Sequence, residues 1–237
     1  MNPLLHIHNL HKTFHMHHFA GKQIVGCSGI HLELDHGQFI GITGKSGAGK
    51  STILKCIYRT YIPTQGHIWY DSDSFGIIDL AQATDRQMIE IRQKDIGYVS
   101  QFLKILPRVT ALDTVVEVLV EAGVSVNEAR AEAKSILKHF QLSESLWDAY
   151  PNTFSGGEKL RLNLARAMVK RPKFLLLDEP TASLDNASKA SVRDMILDLK
   201  RQGTSMIGIF HDLDFMETVV DQEFNMKNGL LHGGVKA

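Results

Sequence analysis

The run Gly44-Lys45-Ser46-Gly47-Ala48-Gly49-Lys50-Ser51 constrains this chain more than any other stretch. It follows an apolar segment, Phe39 to Thr43, and runs into TILKCIYRTY, apolar at helical spacing. A strand, a glycine-rich loop and a helix opening at about Lys50 are expected. The glycines let consecutive N–H groups converge on phosphate oxygens. Lys50 reaches the β- and γ-phosphates, and the Ser51 hydroxyl suits magnesium. The context implies an α/β nucleotide-binding core.

Two later segments supply the remaining chemistry of such a site. Phe174-Leu175-Leu176-Leu177-Asp178-Glu179 reads as a buried strand ending in two carboxylates. Asp178 is placed to hold the metal, and Glu179 to orient or polarise an attacking water. Alone, the pair equally describes a solvated strand end or a helix cap. TSMIGIFHD is a second buried strand leading to His211, a candidate hydrogen-bond partner for the terminal phosphate.

Between these landmarks the pattern turns helical. Asn127 to Leu142 places Ala129, Ala133, Ile136, Leu137 and Phe140 on one helical face. In TFSGGEKLRLNLARAMVK, a serine and two glycines open an amphipathic helix, whose bare N–H groups and dipole favour an anion. That anion site stands about a hundred residues from the glycine-rich loop in sequence. Residues 1–40 and GHIWYD carry antiparallel-strand character beside the core.

Composition narrows the function classes. Lys plus Arg (26) balance Asp plus Glu (26) in 237 residues, so no overall field marks a nucleic-acid or membrane-surface binder. Two cysteines, Cys27 and Cys56, make no disulfide framework and suit a reducing cytoplasm. No apolar run approaches the roughly 18–20 residues that span a bilayer, so direct membrane insertion is not expected.

Together the motifs resemble those of the ATP-binding-cassette (ABC) ATPases, nearly end to end and in the family's order. The resemblance implies a P-loop NTPase of the ABC type, with an antiparallel β subdomain and an inserted helical lobe. It implies one domain over residues 1–237: core and β subdomain at 1–101 and 173–237, and the lobe with its signature motif at 102–172. It implies ATP and Mg as cofactors. Phe14 falls where the family stacks an aromatic ring on adenine, and Gln101 falls in the glutamine loop. Gly44 to Ser51, with Thr52, form the phosphate site. Lys50, Glu179 and His211 fall at catalytic positions; Ser51, Gln101 and Asp178 fall at the metal. Phe154-Ser155-Gly156-Gly157-Glu158 fits the signature, with Phe154 and Glu158 replacing the commoner leucine and glutamine. Ser183-Leu184-Asp185 fits the loop joining the two sites of a dimer. Head-to-tail pairing then makes Ser155, Gly156 and Gly157 face a phosphate held by a second ABC subunit, either the same chain or a companion cassette.

The stretches IGYVSQFLKILPRVTALDTVVEVL and WDAYPNTFSGGEKLRLNLARA, with Gly208-Ile209-Phe210-His211-Asp212, resemble the L-type cassette of the bacterial carbon–phosphorus lyase system. That resemblance implies a partner in the soluble lyase core complex. It also implies participation in the step forming alpha-D-ribose 1-methylphosphonate 5-triphosphate, for which no residues are assigned. In that reading Phe102, Leu103, Ile105 and Leu106 dock the complex, with Lys104 and Arg108 beside them. The alternatives are the ATP-binding motor of a membrane ABC transporter, an ATP-gated module without useful hydrolysis, and a metal-binding protein. The last draws on His6, His8, His11, His15, His17 and His18, which read more simply as surface histidines.

Overall fold

The computed structural model describes residues 2–16, 22–100, 108–182 and 184–236. Two sheets carry the chain. The first, antiparallel, runs β2 (Lys22–Leu34), β1 (Leu5–Met16), β4 (Gln65–Ser72), β5 (Gly76–Asp79). The second runs β10 (Leu230–Lys236), β9 (Gln222–Lys227), β3 (Phe39–Gly44), β8 (Ser205–Ile209), β7 (Phe174–Asp178), β6 (Ile96–Val99). All its pairs are parallel except β9 with β10.

The unbroken apolar runs of β7 and β8 follow from their place inside this parallel sheet, where both faces are covered. Successive side chains point to opposite faces. Leu175 and Leu177 of β7 enter one core with Met206, while Phe174 and Leu176 enter the other with Ile207 and Ile209. The first core lies against α3 (Ala111–Glu121), α4 (Val126–His139), α5 (Gly156–Met168) and α6 (Asn186–Arg201), and includes Phe215 and Met216 of α7 (Leu213–Glu217). The second lies between the two sheets and against α1 (Lys50–Ile57) and α2 (Asp85–Lys94). Each such leucine, isoleucine or phenylalanine contributes about 1.5–3 kcal/mol on burial.

Most local readings recur as elements. The strand Phe39 to Thr43 extends by Gly44, and the following helix begins at Lys50. In α4, Ala129, Ala133 and Leu137 are buried. The helix stops at His139, short of Phe140, and the chain turns through a left-handed Gln141 (φ 56°). Phe140 remains fully buried from outside the helix. His6 and His8 sit two apart on β1, as read. No helix among the described residues is long and apolar enough to cross a membrane.

Candidate active site

The glycine-rich loop is held by close backbone approach. Gly44 (φ 133°) and Gly49 (φ 105°) occupy conformations that side chains resist. A Cβ on Gly49 would lie 1.9 Å from the Gly26 carbonyl oxygen, and one on Gly44 would lie 2.2 Å from that of Met226. Around Gly47 there is open space. The buried Lys50 Nζ donates to the carbonyls of Gly44 (2.8 Å) and Lys45 (3.1 Å), so the ammonium is fixed against its own loop. Burial pulls its pKa below the ordinary lysine value, and Glu179 and Asp178 oppose that shift. A cavity of about 810 Å³ opens beside Lys45, Ser46, Gly47 and Ala48 and reaches His211.

The two carboxylates arrive at the end of β7 and diverge. Asp178 is buried, and its Oδ1 accepts from the Ser51 hydroxyl at 3.0 Å. Its Oδ2 accepts from the Tyr98 hydroxyl at 2.9 Å. Two hard oxygen donors therefore meet, the hydroxyl of Ser51 and the carboxylate of Asp178. This is the donor chemistry magnesium takes, so these residues fit that ion. Glu179 sits one residue on, in a left-handed conformation (φ 56°) that costs a non-glycine residue of order 1–3 kcal/mol. Its N–H donates to Ile209 O (3.2 Å), and its Oε1 lies 2.7 Å from His211 Nε2. His211 and Glu179 thus form one hydrogen-bonded pair at adjoining strand ends. Lys189 of α6 pairs with Asp212 at 2.5 Å and ties α6 to the residue after His211.

The serine-glycine-glycine stretch opens α5 as a capping box. Ser155 Oγ accepts from Glu158 N–H (3.3 Å), and Ser155 N–H donates to Glu158 Oε2 (2.7 Å). Ser155 and Gly156 are exposed; Gly157 is buried against α6, where a Cβ would lie 2.8 Å from Ser188 Oγ. None of these contacts belongs to the glycine-rich loop. Asp185 caps α6, its Oδ1 accepting from Ser188 N–H at 2.7 Å, and that bond lowers its pKa.

Phe14 on β1 packs edge-on against Tyr61 (5.0 Å between centroids), with Lys12 Nζ 5.0 Å from the ring centre. A Cβ on Gly26 would strike its ring at 2.7 Å. Gly26 thus spaces both Phe14 and Gly49, linking the aromatic position to the loop. Gln101, the apolar run Phe102, Leu103, Ile105 and Leu106, and Lys104 lie outside the described residues, as does Ser183. Arg108 is exposed with φ 64°. Among the described residues, no group of three or more His, Cys, Asp or Glu side chains is placed to hold a metal ion. His8 meets His31 edge-on, and His6 lies 3.7 Å from Glu33.

Sequence reasoning missed Tyr98 and Asn163. Asn163 of α5 donates to the carbonyl of Ser100 (2.9 Å), joining the helix that opens at Ser155 to the residue before Gln101. A polar residue in the apolar face of an amphipathic helix was the available signal for Asn163. For Tyr98 it was a hydroxyl-bearing residue in a short apolar strand.

Residues 27–182 match the ABC transporter family. A lipoprotein-releasing system ATP-binding protein, LolD, of Saccharophagus degradans is 35% identical over 205 residues, 86% of this chain and 87% of its own length. The methionine import ATP-binding protein MetN of Thermobifida fusca is 33% identical over 93% of this chain, which spans 66% of that longer protein. The arginine transport ATP-binding protein ArtP of Haemophilus influenzae is 33% identical over 84% of this chain and 82% of its own length. Among solved structures, the dimeric post-hydrolysis state of the ATP-binding cassette MJ0796, bound to ADP and Pi, superposes with a TM-score of 0.89. It is 28% identical, with 98% of each chain covered.

Proposed function

Because the chain belongs to the ABC transporter family, we propose that it is an ATP hydrolase acting as half of a head-to-tail dimer whose closure over ATP drives a partner assembly. The observation that carries this is the division of the phosphate-binding parts. Lys50, Ser51, Asp178, Glu179 and His211 make one half-site. Ser155 and Gly156 are an exposed helix start whose contacts lie within their own lobe. Such a start is an incomplete anion site, suited to a phosphate brought by another subunit. The MJ0796 cassette, dimeric and bound to ADP and Pi, supports pairing of two such chains.

Within each composite site, Lys50 and the loop N–H groups bind the phosphates. Ser51 and Asp178 would hold magnesium, which would supply positive charge to neutralise the phosphates. Glu179 accepts the proton of the attacking water, and His211 fixes the orientation of that carboxylate.

The partner is read in two ways. The named relatives favour a membrane transport unit, since they serve lipoprotein release, methionine import and arginine transport. Identities of 33–35% to three such different systems reflect a shared ATP engine and point to no particular cargo. A cleft of about 320 Å³ lined by Tyr58, Arg92, Tyr98, Glu121, Arg166 and Lys170 offers a partner a seat three residues from Gln101. The second reading, a soluble phosphonate-processing lyase complex, is supported by the sequence phrases around Gln101 and Ser155. It receives no support from the named relatives.

Growth of a clean deletion on a phosphonate as sole phosphorus source separates the two. Loss of that growth, restored by the parent chain but not by Glu179→Gln, with normal growth on inorganic phosphate, selects the lyase assembly. Normal phosphonate growth together with copurification of an integral-membrane permease selects the transport motor.

A further inference from the structure

Tyr98 lies on β6 opposite Leu176 of β7, two residues before Asp178. Its hydroxyl donates to Asp178 Oδ2 at 2.9 Å, while Ser51, on α1, donates to Oδ1 at 3.0 Å. The Tyr98 ring packs on Tyr58 with centroids 5.0 Å apart, and Tyr58 carries Arg92 4.8 Å above its ring. Arg92 is itself anchored by donation to Tyr58 O (2.9 Å). The Tyr98 ring is therefore packed against Tyr58, which Arg92 backs in turn.

We propose that Tyr98 is a positioning residue for the metal-holding carboxylate: its hydroxyl occupies Asp178 Oδ2 and presents Oδ1 toward Ser51 and the cation. The physical ground is that a carboxylate bonded through one oxygen rotates freely, whereas one bonded through both is oriented in advance. A hydrogen bond to a charged acceptor is among the stronger ones. Partners of this kind behind a metal ligand commonly change metal affinity by about 10–100-fold when removed. The ring that makes this contact also lines the cleft with Arg166 and Lys170, so matter entering the cleft meets the side chain that sets Asp178.

The proposal rests on the reading that Asp178 helps hold magnesium, and the test keeps the two separable. Binding of a fluorescent ATP analogue to the full chain is measured in EDTA and across a magnesium titration. The chains compared are the parent, Tyr98→Phe, Asp178→Asn and the double variant. Phenylalanine keeps the ring that packs against Tyr58. For Tyr98→Phe we expect parental affinity in EDTA and about a ten-fold rise in the magnesium needed for half-maximal tightening. In the Asp178→Asn background the same change should add nothing. A parental magnesium response in Tyr98→Phe, or an equal shift with Asp178 already replaced, overturns the proposal. A parent chain indifferent to magnesium overturns the metal reading along with it.

Discussion

His211 Nε2 lies 2.7 Å from Glu179 Oε1, joining side chains 32 residues apart in sequence at the ends of two parallel strands. Glu179 is held there in a left-handed backbone conformation, with its N–H on Ile209 O. Strain of that kind persists only where surrounding structure dictates it, and it clusters at functional sites. That geometry suits the proposed roles of Glu179 as base and His211 as its orienter.

Glu179→Gln should bind ATP as the parent does and hydrolyse it about 10²–10⁴-fold more slowly. His211→Ala leaves the carboxylate in place, and its loss should be smaller. Single-turnover hydrolysis with saturating enzyme measures both. A parental rate for Glu179→Gln would remove the base from this position.

Lys50→Ala should act on binding first. Its ammonium is already desolvated and fixed by two loop carbonyls, so little ordering remains when phosphate arrives. Hydrogen bonds to charged groups contribute about 1.5–3 kcal/mol, which corresponds to roughly a 10–100-fold loss of ATP affinity. Unchanged affinity by equilibrium titration would show that the ammonium does not reach the nucleotide.

The glycine-rich loop, the Asp178–Glu179 strand and the serine-glycine helix start were legible in sequence, because each depends on local chain geometry. The both-faces burial of β7 and β8 was legible for the same reason. Tyr98 was not, because its role comes from the pairing of β6 with β7, which places a hydroxyl two residues short of Asp178 on the next strand. Nor was Gly26, whose importance lies in a carbonyl 1.9 Å from where a Gly49 Cβ would stand. The end of α4 was overrun because Phe140 keeps the apolar period while lying outside the helix.

Glu158 places a carboxylate at the start of α5, where it would compete with the phosphate that the proposed head-to-tail pairing brings there. Its Oε2 takes the Ser155 N–H at 2.7 Å. Glutamine preserves the capping box and removes the charge, so Glu158→Gln should strengthen ATP-dependent dimerisation without lowering the melting temperature. Glu158→Ala loses the reciprocal cap and should cost about 0.5–2 kcal/mol of stability. Sedimentation with and without ATP, beside thermal melts, separates the two effects. Weaker dimerisation of Glu158→Gln would give the carboxylate a positive role.

Asp95 sets a pH dependence of stability. It is buried, with Oδ2 bonded to Ser72 Oγ at 2.7 Å and Oδ1 without a hydrogen-bond partner among the described residues. Burial raises its pKa above the usual carboxylate value, and the Ser72 bond offsets part of that. The folded chain then holds this proton more tightly than the unfolded chain. Its contribution is full at low pH and is lost as pH climbs through the raised pKa. Asp95→Asn removes that loss, so its melting temperature should gain on the parent as pH rises above about 4. Parallel melting curves across that range would show that Asp95 does not titrate differently on folding.

The composite site between two copies is tested most directly by mixing two inactive chains. Lys50→Ala damages the phosphate loop, and Ser155→Arg damages the helix start that, in the proposed pairing, faces the other subunit's phosphate. Each variant alone should lack any intact site. In a mixed dimer both lesions fall in one site and leave the second whole, so ATP hydrolysis should reappear on mixing and rise with the proportion of mixed dimer. A mixture as inactive as its separate components, with both variants folded, would contradict the head-to-tail pairing of this chain with itself.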